Sequence, residues 1–247
     1  MISVIVPTYR RPEKLRRSLE AIAAQTYRDV EVVVVNDGGP SVREVVAPIE
    51  GRVRIVLHEA ETNRGHFACR NVALGLATGD RIAFCDDDDI YSPHHLASVA
   101  SAIHGADLVY SGVTIRVLRP DGGVTTLPFS RPFDAALLRR TNFIVPSSVL
   151  YERRLHDILG PFDEAAGPYW DWDWVLRVSG AGTIARVPET SVTYEFDLRG
   201  GNLSDAPEKD RPFLDYLSAK HGLGPLPSTN FYSMALNDER AGDTMRG

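Results

Sequence analysis

Four consecutive aspartates, Asp86 to Asp89, follow the apolar run Arg-Ile-Ala-Phe-Cys and lead into Ile-Tyr-Ser-Pro. Two carboxylates ~5 Å apart repel by about 3 kcal/mol at an effective dielectric of about 20. Such a cluster therefore needs a counter-cation, raised pKa values or full exposure. Mg²⁺ and Mn²⁺ meet that need with hard oxygen ligands: one or two carboxylates, with phosphate oxygens and water completing the shell. The implied partner is a phosphorylated substrate. The alternative is a solvated acidic turn in which Asp89 or Ser92 caps a helix. The apolar run weighs against it, because ligands of open α/β sheets gather at the carboxyl ends of strands.

Two further strand ends carry polar groups, Pro7-Thr8-Tyr9 and Asn36-Asp37. Asp37 can accept a hydrogen bond from the imide N–H of uracil or thymine, which cytosine lacks, and Tyr9 can stack on a base. A capping aspartate and a packed tyrosine are the plainer roles. The segment Trp170-Asp171-Trp172-Asp173-Trp174 offers two carboxylates as a proton acceptor. On a helix, residues two apart point about 200° from each other, so only one of the pair faces a cleft. Asp173 has Arg177 four residues on, the spacing of a helix ion pair, which leaves Asp171 the freer acid. Trp170 and Trp174 suit a core, with sugar stacking as their second role.

Elements that would position these groups are legible in the apolar patterning. Residues 2–7 and 30–35 are short β-branched runs, as in strands buried on both faces of a parallel sheet. Between them Pro12 opens a helix whose Leu15, Leu19, Ile22 and Ala23 share a face. A helix over 41–49, a strand over 53–57, a helix over 66–77 and a strand over 81–85 continue a βαβ alternation. Ser92 and Pro93 suit the cap and first turn of a helix running to about residue 103. Strands are expected at 108–111, 113–118 and 124–127, the last two joined as a hairpin through Pro120-Asp121-Gly122-Gly123. A helix is expected over 170–178. Past Gly222 the Pro, Ser and Asn content points to a mobile tail or lid.

The chain has 247 residues, 43% hydrophobic and 24% charged, enough for a substantial core without evident linkers. A net charge of −6 argues against a general nucleic-acid surface. Cys69 and Cys85 lack metal-ligand spacing and suit reduced core thiols. With no leader-like segment and no apolar run of membrane-spanning length, a cytoplasmic protein is expected. Peripheral contact at the inner face of a membrane stays compatible with that expectation.

The stretches SVIVPTYRRPEKLRRSLEAIAAQTYRDVEVVVVNDGG, NRGHFACRNVALGLATGDRIAFCDDDDIYSP, SSVLYERRLHDILGPFDE and DWDWVLRV, in this order and spacing, resemble family-two inverting glycosyltransferases of the GT-A fold. The resemblance covers about residues 2–200. It implies an α/β fold in which a Rossmann-like donor half (1–106), with a mostly parallel sheet, merges with a mixed acceptor-binding and catalytic half (107–222). A C-terminal tail or lid (223–247) follows. It also implies that the aspartate run is the DXD element, with Asp88 the metal ligand and Asp86 or Asp87 on sugar or ribose. Pro7, Thr8, Tyr9 and Asp37 would line the nucleoside pocket, Arg70 would lie near the donor phosphates, and Asp171 falls on the catalytic base, before a Trp and six residues ahead of an arginine. The acidic residue that often precedes that base is Trp170 here. Near where such enzymes close over their donor, Arg199, Gly200, Gly201 and Asn202 combine a cation with hinge glycines.

The expected activity is a Mn²⁺- or Mg²⁺-dependent, single-step transfer of a sugar from a nucleoside diphosphate donor to an acceptor hydroxyl, on a saccharide, a lipid-linked saccharide or a small molecule. A UDP-sugar is favoured as donor, with dTDP- and GDP-sugars as alternatives. One rival, a sugar nucleotidyltransferase, needs a glycine-rich basic loop after the first strand, where Pro7-Thr8-Tyr9-Arg10-Arg11 has no glycine. Another, a nucleotide-sugar binding module without chemistry, would not need both Asp88 and Asp171.

Overall fold

A computed structural model describes residues 1–200 and 207–244. Strands β1 (Ile2–Thr8) and β2 (Val30–Asn36) are buried at every position, which explains their unbroken apolar composition. Helix α1 (Pro12–Ala23) lies between them, burying Leu15, Leu19 and Ile22. After β3 (Arg54–Glu59), α3 (His66–Leu76) leads into β4 (Arg81–Phe84). β1 pairs in parallel with both β2 and β4, and β2 with β3. This side of the sheet is the expected Rossmann-like arrangement. Between β2 and β3 the expected nine-residue helix shrinks to α2 (Arg43–Val46), where Pro48 offers no N–H to continue it.

Beyond β4 long-range pairing overrides local signals. Residues expected to lead straight into a helix instead form β5 (Ile90–Tyr91), antiparallel to the long strand β9 (Ile184–Asp197). Ser92 therefore does not cap a helix: its carbonyl accepts the Gln25 Nε2 amide at 2.6 Å, and α4 starts later (His95–Ala102). The two strands expected at 108–111 and 113–118 are one, β6 (Leu108–Leu118), with a register shift at Gly112. β7 (Val124–Phe129) completes the expected hairpin, and β8 (Val149–Glu152) joins β4 to β6, antiparallel to both. The sheet runs β3-β2-β1-β4-β8-β6-β9-β5, with β7 beside β6.

Three helical segments follow outside the sheet. A short α5 (Ala135–Leu138) is capped by Asp134, and α6 (Leu155–Leu159) precedes α7 (Trp170–Ala181), three residues longer than expected. Gly167, at φ 54°, turns the chain into α7, and a Cβ there would lie 2.5 Å from the Phe213 ring on α8 (Pro207–His221). The segment past Gly222, expected as a tail or lid, buries Leu226, Met234 and Ala235 and forms α9 (Phe231–Thr244). Of the proposed hinge segment, residues 201–206 lie outside the described residues; Arg199 is ion-paired with Asp197.

Asp173 shows how α7 is fixed. Its carboxylate is completely buried and meets Arg177 at 2.8 Å, Lys220 at 2.6 Å and His221 at 2.8 Å. The spacing anticipated Arg177 alone, a surface-type pair worth ~0.5 kcal/mol. The partners from α8 change the expectation. Asp173→Ala takes the shared buried acceptor from Arg177, Lys220 and His221 and should cost about 3 kcal/mol, lowering Tm by ~6–12 °C in thermal denaturation. A shift under 2 °C would show that the buried cluster does not hold α7 to α8.

Candidate active site

Because β1, β2 and β4 are neighbours and parallel, their carboxyl ends bring Thr8, Asp37 and the aspartate turn to one edge. There they line a cavity of about 500 Å³ whose opposite wall comes from α7 and the segment 227–234. Pro7, Thr8, Tyr9, Asp37, Arg70, Asp86, Asp87, Asp88 and Asp171, all singled out from sequence, line it together.

The four aspartates meet different surroundings. Asp86 is ion-paired with Arg70. Asp87 accepts the Thr8 hydroxyl at 2.7 Å and Arg11 at 3.4 Å, yet burial and the neighbouring Asp88 push its pKa up to about 6. Asp88 receives Arg11 at 3.1 Å and Lys14 at 3.2 Å, and Lys14 in turn reaches the buried Glu195 at 3.3 Å. Asp89 is 1% exposed, and neither carboxyl oxygen has a hydrogen-bond partner within bonding geometry. Burial, with Asp88 and Asp86 beside it, holds its pKa well above the usual carboxylate range. Ser18 donates to the backbone carbonyls of Asp87 at 2.9 Å and Asp89 at 2.7 Å, tying the turn to α1.

Asp37 carries a structural task the sequence did not reveal. Its two oxygens accept the backbone N–H groups of Arg64 at 2.7 Å and Gly65 at 2.9 Å, anchoring the loop that enters α3. Gly38 makes that approach feasible: at φ 72°, a Cβ there would lie 2.5 Å from the Asn63 nitrogen. Tyr9 is 38% exposed, with the Arg10 guanidinium 5.1 Å from its ring. Arg70, 2% exposed, donates to the His66 carbonyl at 2.9 Å and meets His66 Nδ1 at 2.8 Å. Burial and Arg70 lower the His66 pKa to about 3, so the imidazole is neutral and accepts that bond. Trp170 fills the place of the missing acid. It packs on Phe84 and Phe162 and lies 4.2 Å beneath the Arg70 guanidinium. Trp174 is core, stacked on His156 at 4.3 Å, and does not line the cavity.

Asp171 projects from the first turn of α7 into the cavity, while Asp173 points into the buried ion cluster. Burial raises the Asp171 pKa to about 7, against the Trp172 N–H and Arg70, which lower it. Asn142, which the sequence reading passed over, donates Nδ2–H to Asp171 Oδ2 at 2.8 Å. Its own Oδ1 accepts the Ile144 N–H at 3.1 Å, which fixes the amide with nitrogen toward the acid. No motif marks this residue; only the fold brings 142 beside 171.

The sequence model described as "Glycosyl transferase family 2" matches residues 3–157. The chain belongs to glycosyl transferase family 2. Its relatives include YwdF of Bacillus subtilis, an uncharacterised glycosyltransferase, 41% identical over 93% of this chain and 87% of its own length. A "PGL/p-HBAD biosynthesis glycosyltransferase" of Mycobacterium tuberculosis is 31% identical over 91% of this chain and 86% of its own. The fold is that of GT-A glycosyltransferases. Staphylococcus aureus TarS 1-349 in complex with UDP-GlcNAc superimposes with a TM-score of 0.71 at 22% identity, covering 89% of this chain and 66% of that one. The mannosyltransferase PcManGT of Pyrobaculum calidifontis, in complex with GDP-Man and Mn²⁺, gives 0.62 at 22% identity, covering 90% and 69%. The chain spans 64% of the uncomplexed TarS fragment and 39% of the longer TarS chain. This family 2 enzyme has, among the described residues, no helix long and apolar enough to cross a membrane.

A hydrogen bond to a charged group is worth ~1.5–3 kcal/mol, or roughly 1–2 pKa units. The Asn142 amide favours the ionised form of Asp171, so Asn142→Leu should raise the Asp171 pKa by about 1 unit or more above its present value. Carboxyl ¹³C NMR titration reads this directly. An unchanged or lowered pKa would show that the amide does not stabilise the carboxylate.

Proposed function

We propose that this chain transfers a sugar from a nucleoside diphosphate donor to an acceptor hydroxyl in one in-line displacement, with Asp171 as the base and Asp88 as the ligand of a divalent cation. The observation that carries this reading is the cavity, which joins the carboxylate-rich ends of β1, β2 and β4 to an isolated acid of raised pKa on its far wall. TarS superimposes in complex with UDP-GlcNAc and PcManGT with GDP-Man and Mn²⁺, which supports a sugar nucleotide and a metal.

The residues present fit a hard divalent cation. No cluster of three or more His, Cys, Asp or Glu ligands forms among the described residues, so the protein offers no closed cage. It offers instead a cavity-lining carboxylate, Asp88, crowded by Asp86 and the buried Asp87, both of raised pKa, where added positive charge is favourable. One carboxylate, donor oxygens and water suit Mn²⁺ or Mg²⁺, which when bound would offset charge on the departing diphosphate. Arg70 is placed for the phosphates: its Nε–H has no hydrogen-bond partner in the structure. Asp86 or Asp87 would take the sugar or ribose. Pro7, Thr8, Tyr9 and Asp37 form the nucleoside end, where each Asp37 oxygen keeps a lone pair beyond the one used by the loop.

Asp171 must be ionised to accept a proton, so activity should fall as pH drops through about 7, one proton per step, and level off above it. Asp171→Asn should lower the transfer rate ~100- to 10,000-fold with donor affinity nearly unchanged. A near-native rate in that variant would remove Asp171 from the mechanism. Asp88→Asn, or EDTA on the native enzyme, should abolish transfer and weaken UDP binding, and full activity in EDTA would refute the metal. In thermal shift, UDP should stabilise the protein more than CDP, because cytosine offers Asp37 no imide hydrogen. Equal shifts would show that Asp37 does not read the base.

A further inference from the structure

The half of the cavity away from the aspartate turn has its own chemistry. Tyr169, Trp172, Tyr194, Phe231, Met234 and Pro168 line it. The Trp172 indole N–H is already used by the Leu138 carbonyl at 2.7 Å, so that ring has no donor left for a ligand. Tyr194 meets Phe231 edge-on at 5.7 Å, and Phe231 is set against Phe129 at 6.1 Å, which holds the aromatic wall in place. Among the described residues that line it, the charged groups on this side are Asp171 and Asp210, both acids, with Lys209 next to Asp210 in the chain; the lining cations Arg11 and Arg70 pair with the aspartate turn. A phosphorylated or carboxylated acceptor would meet these two lining acids and, among the described lining residues of this half, no cation. Ser228, Thr229 and Asn230 add hydrogen-bonding groups at the edge of this wall, while its ring faces offer a bound molecule apolar area rather than hydrogen bonds.

We propose that the acceptor is a neutral molecule with a flat, apolar, ring-bearing body, which lies between Tyr169, Tyr194 and Phe231 and presents its hydroxyl to Asp171. This rests on the glycosyl-transfer reading above and names the substrate class of that same site. Aromatic walls embrace such a body through area and ring geometry, and the acids exclude anions.

Calorimetric binding to the full chain, with Mn²⁺ and UDP present, tests the proposal using phenyl β-glucoside, methyl β-glucoside and glucose 6-phosphate. Burying the phenyl ring should make the first bind about 10-fold or more tighter than the second, with the phosphate weaker than both. Phe231→Ala should abolish the preference for phenyl, and Asp210→Lys should strengthen binding of the phosphate ester. Equal binding of the two glucosides, tighter binding of the phosphate, or binding of none would overturn the proposal. UDP thermal shifts on the same samples separate the two levels. Stabilisation by UDP without a phenyl preference refutes the acceptor class alone, whereas no response to UDP refutes the donor site beneath it.

Discussion

Negative charge gathered at the carboxyl end of β4 is the constraint around which the rest of the site is arranged. Four carboxyl groups in sequence, mostly removed from water, are untenable without compensation. The fold supplies it from three elements: Arg11, Lys14 and Ser18 from the loop and helix after β1, Thr8 from β1 itself, and Arg70 from α3. At Asp89, the most deeply buried of the four, burial holds the carboxyl pKa well above the usual range instead. Arg70 carries the constraint further, because its guanidinium lies on Trp170, the first residue of the helix that bears Asp171. The aspartate turn and the acid across the cavity are thus joined by one buried cation and one indole.

The donor-side elements were legible because their signals are local. A strand buried on both faces must be apolar throughout, so β1, β2 and β4 stand out in the chain, and the polar residues just after them fall at one sheet edge. The separation of Asp171 from Asp173 was legible too, because it follows from helical geometry and the position of Arg177. Family resemblance supplied the roles, which spacing alone does not.

What escaped the sequence depends on partners distant in the chain. Residues 90–91 join a strand a hundred residues away, which cancels the helix start that Ser92 and Pro93 suggest. Asp173 looked like one end of a surface pair because Lys220 and His221 arrive from another helix. Asn142 has no motif. Composition did not reveal the helix α9, although Asn230 accepts the Ser233 N–H at 2.8 Å as a helix cap. Its apolar residues Phe231 and Met234 line the cavity, and Phe231 packs against Phe129 of β7.

The account's central claim is geometric: donor diphosphate and proton acceptor lie on opposite sides of the reacting carbon, so transfer occurs in one displacement. The most direct test is the anomeric configuration of the first-formed product, read by ¹H NMR coupling during turnover. A configuration opposite to that of the donor sugar is predicted. Retention of the donor's configuration would contradict the single displacement and the role given to Asp171.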